Sequence, residues 1–222
     1  MSDFVNSAGQ LQHIKNMMER SSRFISLSGL SGVSAGICAL AGAALAFPFV
    51  YGAKDHRISE PHSIDYNFLF DWDFLFNSWL FWIAIATLVG AVLFAFLFTW
   101  RKSKLQGLAI WGAAARRMLI NLLIPLVAGG LLVLKLAGMG QFILLAPVTL
   151  LFYGLALINA AKYTLGEIRY LGYCQVILGI VSLWWPSYGL YFLAFGFGIL
   201  HILYGGVMWY TYEKNPPSVH DE

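Results

Sequence analysis

Six long apolar stretches divide the chain, near residues 24–50, 77–100, 117–137, 141–161, 170–187 and 190–211, with short polar segments between them. A helix crosses about 30 Å of hydrocarbon with roughly 20 residues, so each stretch is long enough or nearly long enough to span. A β-barrel strand would instead alternate polar and apolar positions over about ten residues. The run from Leu144 to Ala161 has no such alternation. The pattern therefore predicts an all-α membrane protein of six transmembrane helices, because only helices and closed barrels satisfy their backbone in lipid.

The connections predict three antiparallel hairpins within a single polytopic domain, residues 1–222. The first closes through an outer loop at 52–76, the second turns at Gly138, Met139 and Gly140, and the third turns at 186–189. Composition agrees with lipid as the solvent. Of 222 residues, 59% are hydrophobic and 11% charged, against about 45–50% and about 25% in soluble domains.

Charge orients the spans, since short cytoplasmic loops retain Lys and Arg. Of 14 such residues, eleven fall on one side: Lys15, Arg20, Arg23, Arg101, Lys102, Lys104, Arg116, Arg117, Lys162, Arg169 and Lys214. Lys54, Arg57 and Lys135 fall on the other. Both termini are thus expected in the cytoplasm. Trp72, Trp79, Trp184 and Trp185 lie at outer ends and Trp100, Trp111 and Trp209 at inner ends, where headgroups favour indoles. Residues 1–23 lack the apolar core of a secretory signal and read as a cytoplasmic amphipathic segment. The basic inner loop, 101–116, joins its charges to Leu105, Leu108, Ile110 and Trp111, which suits an inner-leaflet helix attracted to anionic headgroups and needs no nucleic acid.

Within the last hairpin, Gln175 and His201 each lie thirteen residues from Tyr188, so an antiparallel pair places them level near mid-bilayer. Gly172, Gln175, Gly179 and Ser182 form one helical stripe; Ala194, Gly198, His201 and Gly205 form another. Facing small residues let backbones approach and polar side chains bond across the contact. The expected arrangement sets Gly172 against Gly205, Gly179 against Gly198, and Gln175 beside His201. Asn121 and Asn159 occupy matching depths in the middle hairpin. Pro125 and Pro147 free the carbonyls of Asn121 and Ile143, and are expected to kink their helices. Gly29, Gly32 and Gly36, in a first span rich in small residues, predict a closely packed helix, central or at a homo-oligomer contact.

Little chemistry accompanies these features. The outer loop carries His56 and His62 among Asp55, Glu60, Asp65, Asp71 and Asp73, but their spacing matches no established metal-ligand pattern. Cys38 and Cys174 read as small buried hydrophobes. No phosphate-cradling loop, nucleophile elbow or HExxH motif occurs, so no cofactor and no metal are expected.

The segments "ARRMLINLLIPLVAGG", "PVTLLFYGLALINAAKYTLGEIRYLGYCQVILG", "FGFGILHILYGGVMWYTYEK" and "MMERSSRFISLSGLSGVSAG" resemble an uncharacterised family of bacterial six-span membrane proteins. The resemblance implies a bacterial inner membrane location and carries no activity with it. The leading expectation is a non-catalytic membrane subunit or scaffold packed through glycine faces, with lipid and either a second copy or another membrane protein as partners. A small transporter or channel with a polar path near His201 is the second expectation. A membrane enzyme or sensor acting on a lipid, quinone or metal is the third.

Overall fold

The computed structural model describes residues 28–52, 76–107 and 111–214. Every regular element among them is helical. Helix α1 spans Gly29–Phe47, α2 Trp79–Gln106, α3 Ala113–Gly138, α4 Leu145–Ala160 and α5 Ile168–Ser182. Helix α6 is the continuous stretch Pro186–Lys214, opened by a wide turn at Ala194–Ile199. With their flanking turns, five of the helices are long and apolar enough to cross a membrane, while α5 is shorter, at 15 residues.

Large apolar side chains point outward, among them Leu88, Val92, Leu131 and Leu203, while buried positions are mostly Gly, Ala and Ser. That inversion of a soluble core suits a lipid solvent, in which helices associate by close packing of small residues rather than by burying large ones. Glycines stop two helices. Gly107 (φ 64°) ends α2 and Gly140 (φ 71°) ends α3. At the second, the Gln141 N–H reaches the Leu136 carbonyl at 2.9 Å and the Gly140 N–H reaches Ala137 at 3.0 Å, a paired closure that needs a left-handed residue.

Three expectations change. Arg101–Gln106 continues α2 without a break, so its charges crown a long helix rather than a separate inner-leaflet helix. Pro147 falls in the first turn of α4, where N–H groups have no intrahelical acceptor, and so frees no interior carbonyl. Cys174 is exposed on the surface of α5, although Cys38 is partly buried. The segment 1–23, the histidines and carboxylates of loop 52–76, and residues 108–110 lie outside the described residues.

The largest correction concerns the glycine stripes. They are tightly packed, but α5 and α6 do not present them to each other. The α5 stripe lies on α4: a Cβ at Gly172 would stand 2.9 Å from the Gly154 carbonyl oxygen, and one at Gly179 would stand 2.9 Å from the Leu151 nitrogen. The α6 stripe lies on α1. A Cβ at Gly205 would meet the Gly29 oxygen and the Val33 nitrogen, each at 2.6 Å, and one at Gly36 would meet the Gly198 oxygen at 2.6 Å. Gly29 and Gly32 face Gly205, and Gly198 receives the Leu40 side chain. The short turn between α5 and α6 constrains only their ends, whereas each glycine surface finds a partner with a matching gap.

Two trios result. Helix α1 packs between α2 and α6, and α4 packs between α3 and α5. The last helix thus returns to the first, and the three middle helices form their own group. Within the first trio, Gly42 receives Thr87 of α2; within the second, Gly129 of α3 receives Phe152 of α4. The trios meet where α6 touches α4 and α5. We refer to this contact as the seam.

The close approaches make a graded prediction. Gly154→Ala and Gly205→Ala force backbone apart and should each cost about 1–3 kcal/mol, seen as a lower midpoint for thermal unfolding in detergent. Gly130→Ala and Gly206→Ala, where a Cβ meets nothing within 4 Å, should leave the midpoint unchanged or slightly raised.

Candidate functional site

The wide turn in α6 creates the acceptor around which the intramembrane polar groups gather. In a regular helix the Leu200 N–H would bond to the carbonyl of Gly196; here it bonds to Phe195, five residues back. Such turns leave a carbonyl for other partners and recur at functional positions. The Gly196 carbonyl accepts the Gln175 side-chain amide (Nε2 to O, 2.7 Å) and lies 2.9 Å from His201 Nδ1. Both side chains are buried. The structure therefore brings Gln175 and His201 to one carbonyl, with no bond between the two side chains.

A carbonyl only accepts, so Nδ1 of His201 carries a hydrogen. In the neutral ring Nε2 then accepts, and the Tyr153 hydroxyl, 2.6 Å away, donates to it. Phe197 stacks on the imidazole at 5.8 Å and contacts the Tyr153 ring at 4.7 Å. The Tyr153–His201 and Gln175–Gly196 bonds cross the seam, and the His201–Gly196 bond lies within α6. Tyr153 comes from α4, Gln175 from α5 and His201 from α6.

A second irregularity is satisfied in the same way inside the second trio. Pro125 cannot donate to the Asn121 carbonyl, and the Asn159 side-chain amide of α4 bonds to that carbonyl at 2.9 Å. The Asn121 amide turns back to the Arg117 carbonyl of its own helix, at 2.8 Å. These asparagines thus join α3 to α4, and neither of these two bonds is to Gln175 or His201.

Several contributors escaped the sequence reading. At the end of the bundle that carries Glu213, this carboxylate accepts the Gly29 N–H at 2.7 Å and the Ser28 hydroxyl at 3.1 Å, and pairs with Lys102 at 3.4 Å. It caps α1 from α6 and draws in α2, with its negative charge on the positive end of the α1 dipole. Across the seam at the same end, the Tyr212 hydroxyl donates to Glu167 at 2.5 Å. For one of them a sequence signal was available: Glu167 is an acidic residue in the basic turn between Lys162 and Arg169. At the opposite end, the Tyr51 hydroxyl donates to the Ser187 carbonyl at 2.9 Å.

Among the described residues no group of three or more His, Cys, Asp or Glu side chains is placed to hold a metal ion. Among the described residues, three buried side-chain atoms have no hydrogen-bond partner within the protein: Gln175 Oε1, Glu167 Oε2 and the Tyr204 hydroxyl. All three belong to α5, its leading turn, or α6, the helices on either side of the seam.

Tyr153→Phe and His201→Phe should lose stability non-additively in a double-mutant cycle, with a coupling of about 0.6–1.7 kcal/mol as for other intramembrane hydrogen bonds. Additive losses would remove the bond from consideration. Comparisons with protein families, curated proteins and solved structures yield no match for this chain, so no relative lends these residues a role.

Proposed function

We propose that this chain is a non-catalytic subunit or scaffold of a bacterial inner membrane, crossing it six times with both termini in the cytoplasm. The observation that carries the reading is the use made of its polar side chains. The Tyr153–His201 and Gln175–Gly196 bonds join the two trios, and the other ring nitrogen of His201 is held by the Gly196 carbonyl of its own helix. Asn159 is likewise occupied by the carbonyl that Pro125 frees. A group committed to packing is poorly placed to exchange ligands or protons.

The orientation is supported by charge. Arg101, Lys102, Lys104, Arg116, Arg117, Lys162, Arg169 and Lys214 belong to the helix ends and turns on the Glu213 side, whereas Lys135 is near the opposite end of α3. A cytoplasmic leaflet rich in anionic headgroups favours such an end at about 1 kcal/mol per basic residue. Helix α2 packs along α1, and α3 along α4. Their remaining apolar faces are the surfaces on which lipid, a second copy or another membrane protein would lie.

A second reading, a small transporter, draws on the three unpaired atoms beside the seam. Flux measurements separate the two. Purified protein in liposomes should pass protons, Na⁺ and K⁺ no faster than empty vesicles do, and in native membranes it should crosslink to itself or to a fixed partner. A flux that His201→Leu abolishes would overturn the scaffold reading in favour of transport.

A further inference from the structure

Helices α2 and α5 carry the same kind of headgroup markers, set at different heights. On α2 the exposed indoles of Trp79 and Trp100 stand near the two ends, and the Lys104 ammonium lies 5.2 Å from the centre of the Trp100 ring. On α5 the corresponding places belong to Tyr170 and to Trp184, both exposed. Trp184 lies just past the helix, with its N–H still bonded to the Val181 carbonyl at 3.1 Å. The Arg169 guanidinium lies 5.2 Å from the centre of the Tyr170 ring, with Nη2 3.4 Å from the phenol oxygen. Trp and Tyr settle at the headgroups, and a basic group held over such a ring brings its charge to the same level.

Trp100 follows Trp79 by 21 residues, whereas Trp184 follows Tyr170 by 14. At 1.5 Å per residue the two apolar heights are about 32 Å and about 21 Å. The first fits a hydrocarbon layer of about 30 Å, and the second falls well short of it. On both helices the amino-terminal marker leans outward and the carboxy-terminal one leans inward, so the comparison is like for like. Tilting α5 would shorten its vertical reach further.

Between its markers α5 turns Tyr173, Ile177 and Ile180 outward on one face, while Gly172, Gln175, Gly179 and Ser182 are buried on the other. A span too short for its bilayer is accommodated by thinning the bilayer or by covering the span with another protein. Charge favours lipid here. Lys162 and Arg169 are exposed at the inner rim of this face, where they suit phosphates and would repel the same residues of a second copy.

We propose that α5 thins the bilayer beside it, and that its outer face takes phospholipids whose two headgroup layers approach to about two-thirds of their spacing at α2. The proposal rests on the six-span reading, in which α5 crosses the membrane. Along this strip short or disordered acyl chains fit better than long ordered ones, so the protein carries a lipid-selective side as well as a side matched to the ordinary bilayer.

The test is a cryo-EM map of the full wild-type chain in nanodiscs of dioleoyl phosphatidylglycerol, enlarged by a bound antibody fragment. The two headgroup layers should stand about 10 Å closer at α5 than at α2. Layers evenly spaced around a bundle that α5 crosses would overturn the proposal and leave the six-span reading intact. An α5 lying outside the hydrocarbon would overturn both. Exposed Cys174, on the same side of α5, supplies a second measurement in the same lipid. Oxidation of the wild-type protein in vesicles should give no disulfide-linked dimer, and a Cys174–Cys174 bridge between copies would show that protein rather than lipid covers this face.

Discussion

Close approach of glycine-lined backbones is the constraint on which the rest of this structure depends. In lipid an exposed leucine gains nothing by moving inward, so helices hold together through the number of atoms they bring into contact. Gly154 against Gly172, and Gly29 and Gly32 against Gly205, bring main chain onto main chain. Two such contacts define two trios, and the seam between them is what remains. Its surfaces carry larger side chains, Tyr153, Phe197 and Tyr204 among them, and so cannot approach as closely.

Hydrogen bonding takes over where close packing stops. Within a membrane any carbonyl released by a helix irregularity needs a donor from the protein itself. The wide turn in α6 releases Gly196, which Gln175 and His201 satisfy; Pro125 releases Asn121, which Asn159 satisfies. One physical rule thus accounts for Asn159, Gln175 and His201 among the candidate side chains, and Asn121 enters through its backbone carbonyl. His201 repairs its own helix, whereas Gln175 and Asn159 reach the irregularity from another helix, and there repair becomes adhesion.

The Glu213 end adds electrostatics. Its basic residues would repel one another if left alone, and two carboxylates are placed among them. Glu213 compensates Lys102 while capping α1. Glu167 instead turns toward tyrosines of α6. The same residue type therefore clamps one trio and bridges the two.

By itself the chain determined that its described elements are helical, roughly where each lies, and which residues carry small or polar side chains, since these follow from local hydropathy and the length needed to cross a bilayer. The stripes holding Gly172, Gly179, Gly198 and Gly205 were readable because a helix has a fixed period. Which stripe met which was decided only in three dimensions. Adjacency along the chain suggested α5 against α6, yet a short turn binds helices at one end only, and α4 and α1 offered the better-fitting grooves. The same limit hid the roles of Tyr153, Glu167 and Glu213. Each acts through a partner 45 or more residues away, and periodicity on one helix carries no information about the helix it will meet.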